Sequence, residues 1–237
     1  MSLHHEIAFE REICEHLGAN GWLYEEGSAA AYNRELALYP PDLIAWVQQA
    51  QPEAWEVLQK NHGSKAEATL LQRVRQQLDQ VGTLDLLRHR VEVLGLPKAL
   101  KLAEFKPAFG LNPQVLARYN ANRLRVVRQV RYSTRNENCL DLVLFLNGIP
   151  VATAELKTDN TQSIADAVWQ YKTDRLPRAA GQTPEPLLSF PSGALVHFAV
   201  SNREVQMTTR LEGPPARSCP STRAVTPAGP TAGPVTL

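Results

Sequence analysis

CLDLVLFLNGIPVATAELK, residues 139–157, holds two apolar, β-rich runs on either side of Asn147-Gly148. Both turn residues tolerate positive φ, so the pair is a strong signal for a two-residue β-hairpin. Along the first run, Asp141, Val143 and Phe145 share one face by simple alternation. On the second, Glu155 and Lys157 share a face and Leu156 points the other way. Asp141 lies six residues before Asn147 and Glu155 seven after Gly148, so a tight hairpin offset by one residue sets them across from each other.

Two carboxylates and a lysine then meet at one end of an apolar hairpin. Such a set is unfavourable beside buried strands unless something compensates the charge. A divalent cation does so. Magnesium prefers oxygen ligands, keeps several waters, and takes one or two carboxylates plus a phosphate. Asp141 and Glu155 are the candidate metal ligands, with the Leu156 carbonyl beside them, and Lys157 is the candidate group for holding an attacking water. The chemistry expected of that set is phosphodiester hydrolysis, with manganese as the other usable ion. A surface ion cluster is the competing reading of any short Asp…Glu-x-Lys pattern.

Outward from the hairpin, the period of two continues upstream over residues 123–132. Leu124, Val126, Val130 and Tyr132 fall on one side, and Arg123, Arg125, Gln129 and Arg131 on the other. The three arginines of that face are candidate phosphate contacts, with a solvated outer face as the alternative. Residues 162–175 read as a helix carrying Gln170 and Tyr171, while 194–201 and VQMTTRL read as further strands. Residues 25–95 read as a helical lobe, in which Pro41 and Pro52 take first-turn positions, Gly82 ends one helix, and 83–94 form another. Residues 3–18 form an N-terminal helix stopped by Gly18, and NPQVLARYNANR a short one. The tryptophans, Trp22, Trp46, Trp55 and Trp169, read as core.

Net charge is +1, which argues against a dedicated basic coat but leaves room for a local basic face. Cys14, Cys139 and Cys219 are odd in number and far apart, which speaks against a disulfide framework or zinc site and for a reducing cytoplasm. No histidine pair has metal-ligand spacing. No signal peptide and no apolar run of membrane-spanning length is present.

The stretch NRLRVVRQVRYSTRNENCLDLVLFLNGIPVATAELKTDNTQSIADAVWQYKTDR resembles the nuclease domain of type I restriction endonuclease R subunits, members of the PD-(D/E)xK nucleases. The resemblance runs from about Phe9 through VHFAVSNREVQMTTRL. It implies an α/β restriction-endonuclease-like core, a mixed central sheet flanked by helices with a helical lobe. Residues 1–211 would be the nuclease domain, with its sheet core at 120–210. By resemblance Asp141 and Glu155 match the metal ligands and Lys157 the catalytic lysine. Glu10 is the candidate for an accessory helical acid, a solvated helix face being the alternative. The family's Gln-x-x-x-Tyr pair is not reproduced: Gln170 is followed four residues on by Asp174, and Tyr171 is preceded four back by Ala167. Either Gln170 or Tyr171 could still contact DNA, with Tyr171 as a half-buried helix residue the alternative.

The implied partners are double-stranded DNA and the modification and specificity subunits of a restriction complex. Full-length R subunits also need ATP for a motor, yet no GxxxxGK[ST] phosphate loop occurs here. Residues 212–237 are rich in Pro, Ala, Thr and Gly, hold no acid after Glu212, and read as a disordered tail of the kind a frameshift leaves. A truncated, physiologically silent fragment that only binds DNA or docks on the complex is therefore the alternative to an active endonuclease domain.

Overall fold

The computed structural model describes residues 2–109, 112–158, 163–179, 181–213 and 223–225. The architecture is mixed α/β. Helix α1 spans Ser2–Ala19, and a helical lobe follows with α2 (Pro40–Ala50), α3 (Pro52–His62), α4 (Ala66–Val81) and α5 (Thr83–Arg88). A small ribbon, β1 (Arg90–Val91) with β2 (Leu100–Lys101), closes that lobe. After α6 (Pro113–Asn120) come β3 (Leu124–Arg131), β4 (Cys139–Leu146) and β5 (Ile149–Leu156), then α7 (Ile164–Thr173), β6 (Val196–Val200), β7 (Val205–Thr208) and β8 (Arg223–Val225).

Strands β3 to β8 lie in sequence order in one sheet. Only β5 and β6 are parallel, and α7 makes the crossover between them that a parallel pair requires. Helix α1 packs on one face through Phe9, Ile13, Cys14 and Leu17 against Val126, Leu142, Ala154 and Leu156. The other face carries Val127, Val130, Val143 and Phe145 with Tyr171 of α7. The extended piece at Trp22–Tyr24 covers the outer edge of β3: Leu23 N–H donates to the Leu124 carbonyl, and Val126 N–H to that of Leu23.

Prolines begin α2 and α3, where their missing N–H costs nothing. Asn112 caps α6 by accepting from Gln114 N–H at 3.0 Å and Val115 N–H at 3.3 Å. Three expectations need correction. Helix α1 runs past Gly18 to Ala19, and Gly21, at φ 90°, takes the left-handed position. Residues 32–39 are turns and a bridge rather than helix. The helix foreseen over 83–94 stops at Arg88, because Val91 and Val93 alternate into the lobe's core and β1 pairs with β2. The disorder foreseen for 212–237 falls mostly outside the described residues. Within it, Arg223–Val225 pair antiparallel with β7.

The β4–β5 turn is a two-residue loop, Asn147 at φ 50° and Gly148 at φ 79°. Asn147 is fully buried. Its Nδ2 donates to the Leu102 carbonyl and to Asn122 Oδ1, both at 2.9 Å, and its Oδ1 accepts from Arg123 N–H at 2.7 Å. Gly148 packs against α2, where a Cβ would strike the Tyr39 carbonyl and the Leu43 amide. Gly148→Ala adds left-handed strain of about 1–2 kcal/mol to an overpacking cost of similar size, so a loss of roughly 3 kcal/mol is expected in urea denaturation. A loss below about 1 kcal/mol would show that this contact is not tight.

Candidate active site

The hairpin ladder pairs Leu146 with Ile149 and Phe145 with Pro150, then shifts by one residue to pair Leu144 with Ala152, Val143 with Thr153 and Leu142 with Ala154. The next step of that shifted register sets Asp141 opposite Glu155. The one-residue offset read from the sequence is thus a bulge between Leu144 and Phe145. Asp141 is tied to β5 directly: its Oδ2 accepts the Leu156 N–H at 2.7 Å.

Glu155 is only 1% exposed. Burial first, then the Asp141 charge across the hairpin, push its carboxyl up to about 8, against the pull of Arg175 and Lys157. Arg175 Nε donates to Glu155 Oε1 at 2.7 Å. Lys157 is 6% exposed, and its backbone N–H donates to the Val200 carbonyl at 2.9 Å, which fixes it on the sheet. Glu10, the candidate accessory acid, is 3% exposed rather than solvated. Arg128 Nε approaches its Oε1 at 3.1 Å, and Gln129 Nε2 donates to both its oxygens at 3.2 and 3.1 Å. The same Gln129 nitrogen reaches Asp141 Oδ1 at 3.4 Å, so one amide links the α1 acid to the β4 acid.

Helix α7 sets the far wall. A capping box starts it, with Ser163 N–H donating to Asp166 Oδ2 at 2.7 Å. At its C-terminal end both Asp174 and Arg175 N–H groups donate to the Gln170 carbonyl, which turns Arg175 toward Glu155. Tyr171 is buried rather than half-buried, and its hydroxyl is turned inward against Thr153 Oγ1 at 2.8 Å. Thr153 Oγ1 also lies 2.8 Å from His197 Nδ1, on the neighbouring parallel strand. Gln170 is half-buried, and its Oε1 has no hydrogen-bond partner among the described residues.

Two of the three arginines read on the β3 face pair with a buried acid. Asp42 of α2 is fully buried and draws both Arg123 and Arg125 inward: Arg123 Nε donates to its Oδ1 at 2.9 Å, and Arg125 donates through Nε and Nη2 to both oxygens. Arg125 also stacks 4.7 Å over the Tyr39 ring. Arg123 stays partly exposed, at 30% of its side chain, and Arg131 faces solvent at 63%, where it pairs with Glu137 at 3.0 Å. Trp46 and Trp55 are core and Trp22 packs beneath α1, but Trp169 is 59% exposed on α7.

Among the described residues no three His, Cys, Asp or Glu side chains form a ready-made metal cage. What the site offers is two facing carboxylates: nitrogens approach both oxygens of Asp141, the contact to Oδ1 being a long one, and one oxygen of Glu155 is engaged by Arg175. That donor set fits a hard cation that keeps most of its own water and takes one or two carboxylates. It does not fit a zinc-type cage. Cys14 and Cys139 are free, and burial raises their thiols to about 12 and about 11. Cys219 and the side chains of His4 and His5 lie outside what is described.

Against this geometry, a model of the type I restriction enzyme R protein N terminus matches residues 45–216. The chain belongs to that family. Among curated proteins no match was found. The R-protein match spans the whole hairpin, α7 and β6, and it begins inside α2, so Glu10 lies outside it. Family membership places the chain with restriction enzymes whose R protein works among other subunits on DNA. No helix among the described residues is long and apolar enough to cross a membrane.

Sequence alternation missed Gln129, Arg175, Thr153 and His197. Glu10 had a usable signal, since it sits within the inward stripe of Phe9, Ile13, Cys14 and Leu17. His197 gives a direct check on the buried wall. Burial lowers its imidazole from 6.5 to about 4, so the folded state holds fewer protons than the unfolded chain between those values. Stability from this group is therefore full above about 6.5 and lost as pH falls through about 4. In NMR titration the His197 ring is expected to stay neutral down to about pH 4. A midpoint near 6.5 would mean that the wall is open to water.

Proposed function

We propose that this region is a metal-dependent DNA endonuclease domain of a type I restriction-modification system. It hydrolyses phosphodiester bonds in double-stranded DNA. The observation that carries the reading is the meeting of Asp141, Glu155 and Lys157 at one end of the β4–β5 hairpin, with Glu155 buried. A buried carboxylate facing a partly buried one is repelled by it, and a cation between them relieves that repulsion.

In this reading Asp141 and Glu155 hold Mg2+ or Mn2+, with the Leu156 carbonyl as a third oxygen. The bound ion supplies a more acidic water and stabilises charge on the phosphate. Lys157 orients the attacking water and neutralises phosphate charge. Asp141 is kept in place by the Leu156 amide, and Glu155 by Arg175, so both acids are preorganised before DNA arrives. Arg131, Gln170 and the partly exposed Arg123 remain DNA-contact candidates, while Arg125 and Tyr171 are buried. ATP serves the motor of longer R proteins, and no step here uses it. The modification and specificity subunits supply DNA recognition in the assembled complex.

Supercoiled DNA with Mg2+ tests this. The wild type is expected to nick it, and Asp141→Ala and Lys157→Ala to lower the rate by about 100-fold or more. Binding should weaken steeply as salt rises, since phosphate contacts release counterions. Equal nicking by all three proteins would remove the proposed site from the chemistry. Binding without any nicking would favour a DNA-docking fragment instead.

A further inference from the structure

Gln129 combines two observations that a structural glutamine does not explain. Its backbone sits at φ 51° in the middle of β3, a left-handed conformation that non-glycine residues adopt only at a cost. Successive residues of a regular strand point to opposite faces. Yet Arg128 and Gln129 both reach Glu10 on α1. The left-handed backbone is what makes that double approach feasible. The alternation shifts phase with it. Val126 packs under α1, but Val130 joins Val127 on the opposite face, and on the paired strand Leu142 and Leu140 divide in the same way.

The side chain so delivered has a specific set of partners. Nε2 donates to both oxygens of Glu10 and approaches Asp141 Oδ1, while Oε1 accepts from the Cys139 thiol at 3.4 Å. A primary amide has two N–H groups, enough to span two acids that would otherwise repel each other. With the Leu156 amide on Oδ2, both oxygens of Asp141 are held.

We propose that Gln129 is a positioning residue for the metal site. It sets the rotamer of Asp141 and couples Glu10 to it, and the left-handed strain in β3 is retained because it aims this amide. The inference rests on the metal-dependent reading above. Gln129 touches neither the cation nor DNA. It acts through Asp141, as outer-shell partners of metal ligands do, and losing such partners lowers metal affinity by about 10–100-fold.

The test uses the full chain and Mg2+ alone as the probe, read as the rise in melting temperature across a Mg2+ titration without DNA. Wild type, Asp141→Asn, Gln129→Ala and Gln129→Gly are compared, with Mg2+-dependent nicking measured beside them. Gln129→Gly is included because glycine accepts φ 51° without strain, so this variant stays folded if the alanine variant does not. The half-effect Mg2+ concentration is expected to rise about tenfold or more in both Gln129 variants, with nicking partly restored by excess Mg2+. A purely structural role would alter the melting temperature without Mg2+ and leave the half-effect concentration unchanged, which overturns the proposal. A wild type that shows no Mg2+ response, or one equal to that of Asp141→Asn, overturns the metal reading itself. The two failures are therefore distinguishable.

Discussion

The register of β4 against β5 is the constraint on which the site depends. Side chains alternate along a strand, so a one-residue change in pairing moves every group to the other face. Here the turn at Asn147-Gly148 begins the ladder in one register, and the bulge between Leu144 and Phe145 ends it in another. Without that shift Asp141 would not stand opposite Glu155. The turn itself is not free to slide. Asn147 is bonded to Leu102, Asn122 and Arg123, and Tyr39 N–H donates to the Gly148 carbonyl at 2.8 Å. The helical lobe thus fixes the turn at one end of the hairpin, and the turn fixes the acids at the other.

Charge burial makes the same connection a second time. Asp42 lies near the N-terminus of α2, where the helix dipole favours an anion, and it is fully buried. A charge so placed is tolerated only when paired, and breaking such a pair costs about 3–5 kcal/mol. Arg123 and Arg125 meet that need, which is why the basic stripe of β3 turns inward onto the lobe. The stripe holds two bodies of secondary structure together and leaves Arg131 the most exposed of the three.

What could be read in the sequence divides along physical lines. The hairpin, the strands after it and the crossover helix were legible because their signals are local: positive-φ turn residues, a period of two, and helical patterning. The offset that sets Asp141 across from Glu155 was legible too, because loop length constrains it. Arg123 and Arg125 were misread because alternation gives a face but not what covers that face, and Asp42 is about eighty residues away in the chain. Trp169 was misread because hydrophobicity alone does not say which side of α7 meets the sheet. By alternation Gln129 falls on the polar face of β3, but nothing in the sequence marked its role. Its backbone is left-handed, and a glutamine has no local preference for that conformation.

The site's acids come from α1, β4 and β5, and the nitrogens that restrain them from β3, from the β5 backbone and from the chain just past α7. Across elements, none of these groups is near another through short-range sequence alone. The site therefore cannot form in the hairpin by itself, although the hairpin carries the recognisable motif. Asp141 and Glu155 meet once β4 and β5 pair. Their orientation waits for α1 to dock, since Glu10 engages Gln129, and for α7 to pack, since Arg175 follows it. The Tyr171 hydroxyl on Thr153, with His197 behind it, fastens α7 to the same two strands that carry Glu155 and its neighbour. Packing on both faces of the sheet thus converges on two carboxylates. Loosening either helix would disturb their geometry while leaving the motif and the hairpin intact. That separation explains how a chain can keep Asp…Glu-x-Lys and still differ in competence: the motif marks the place, and the docked helices make the site.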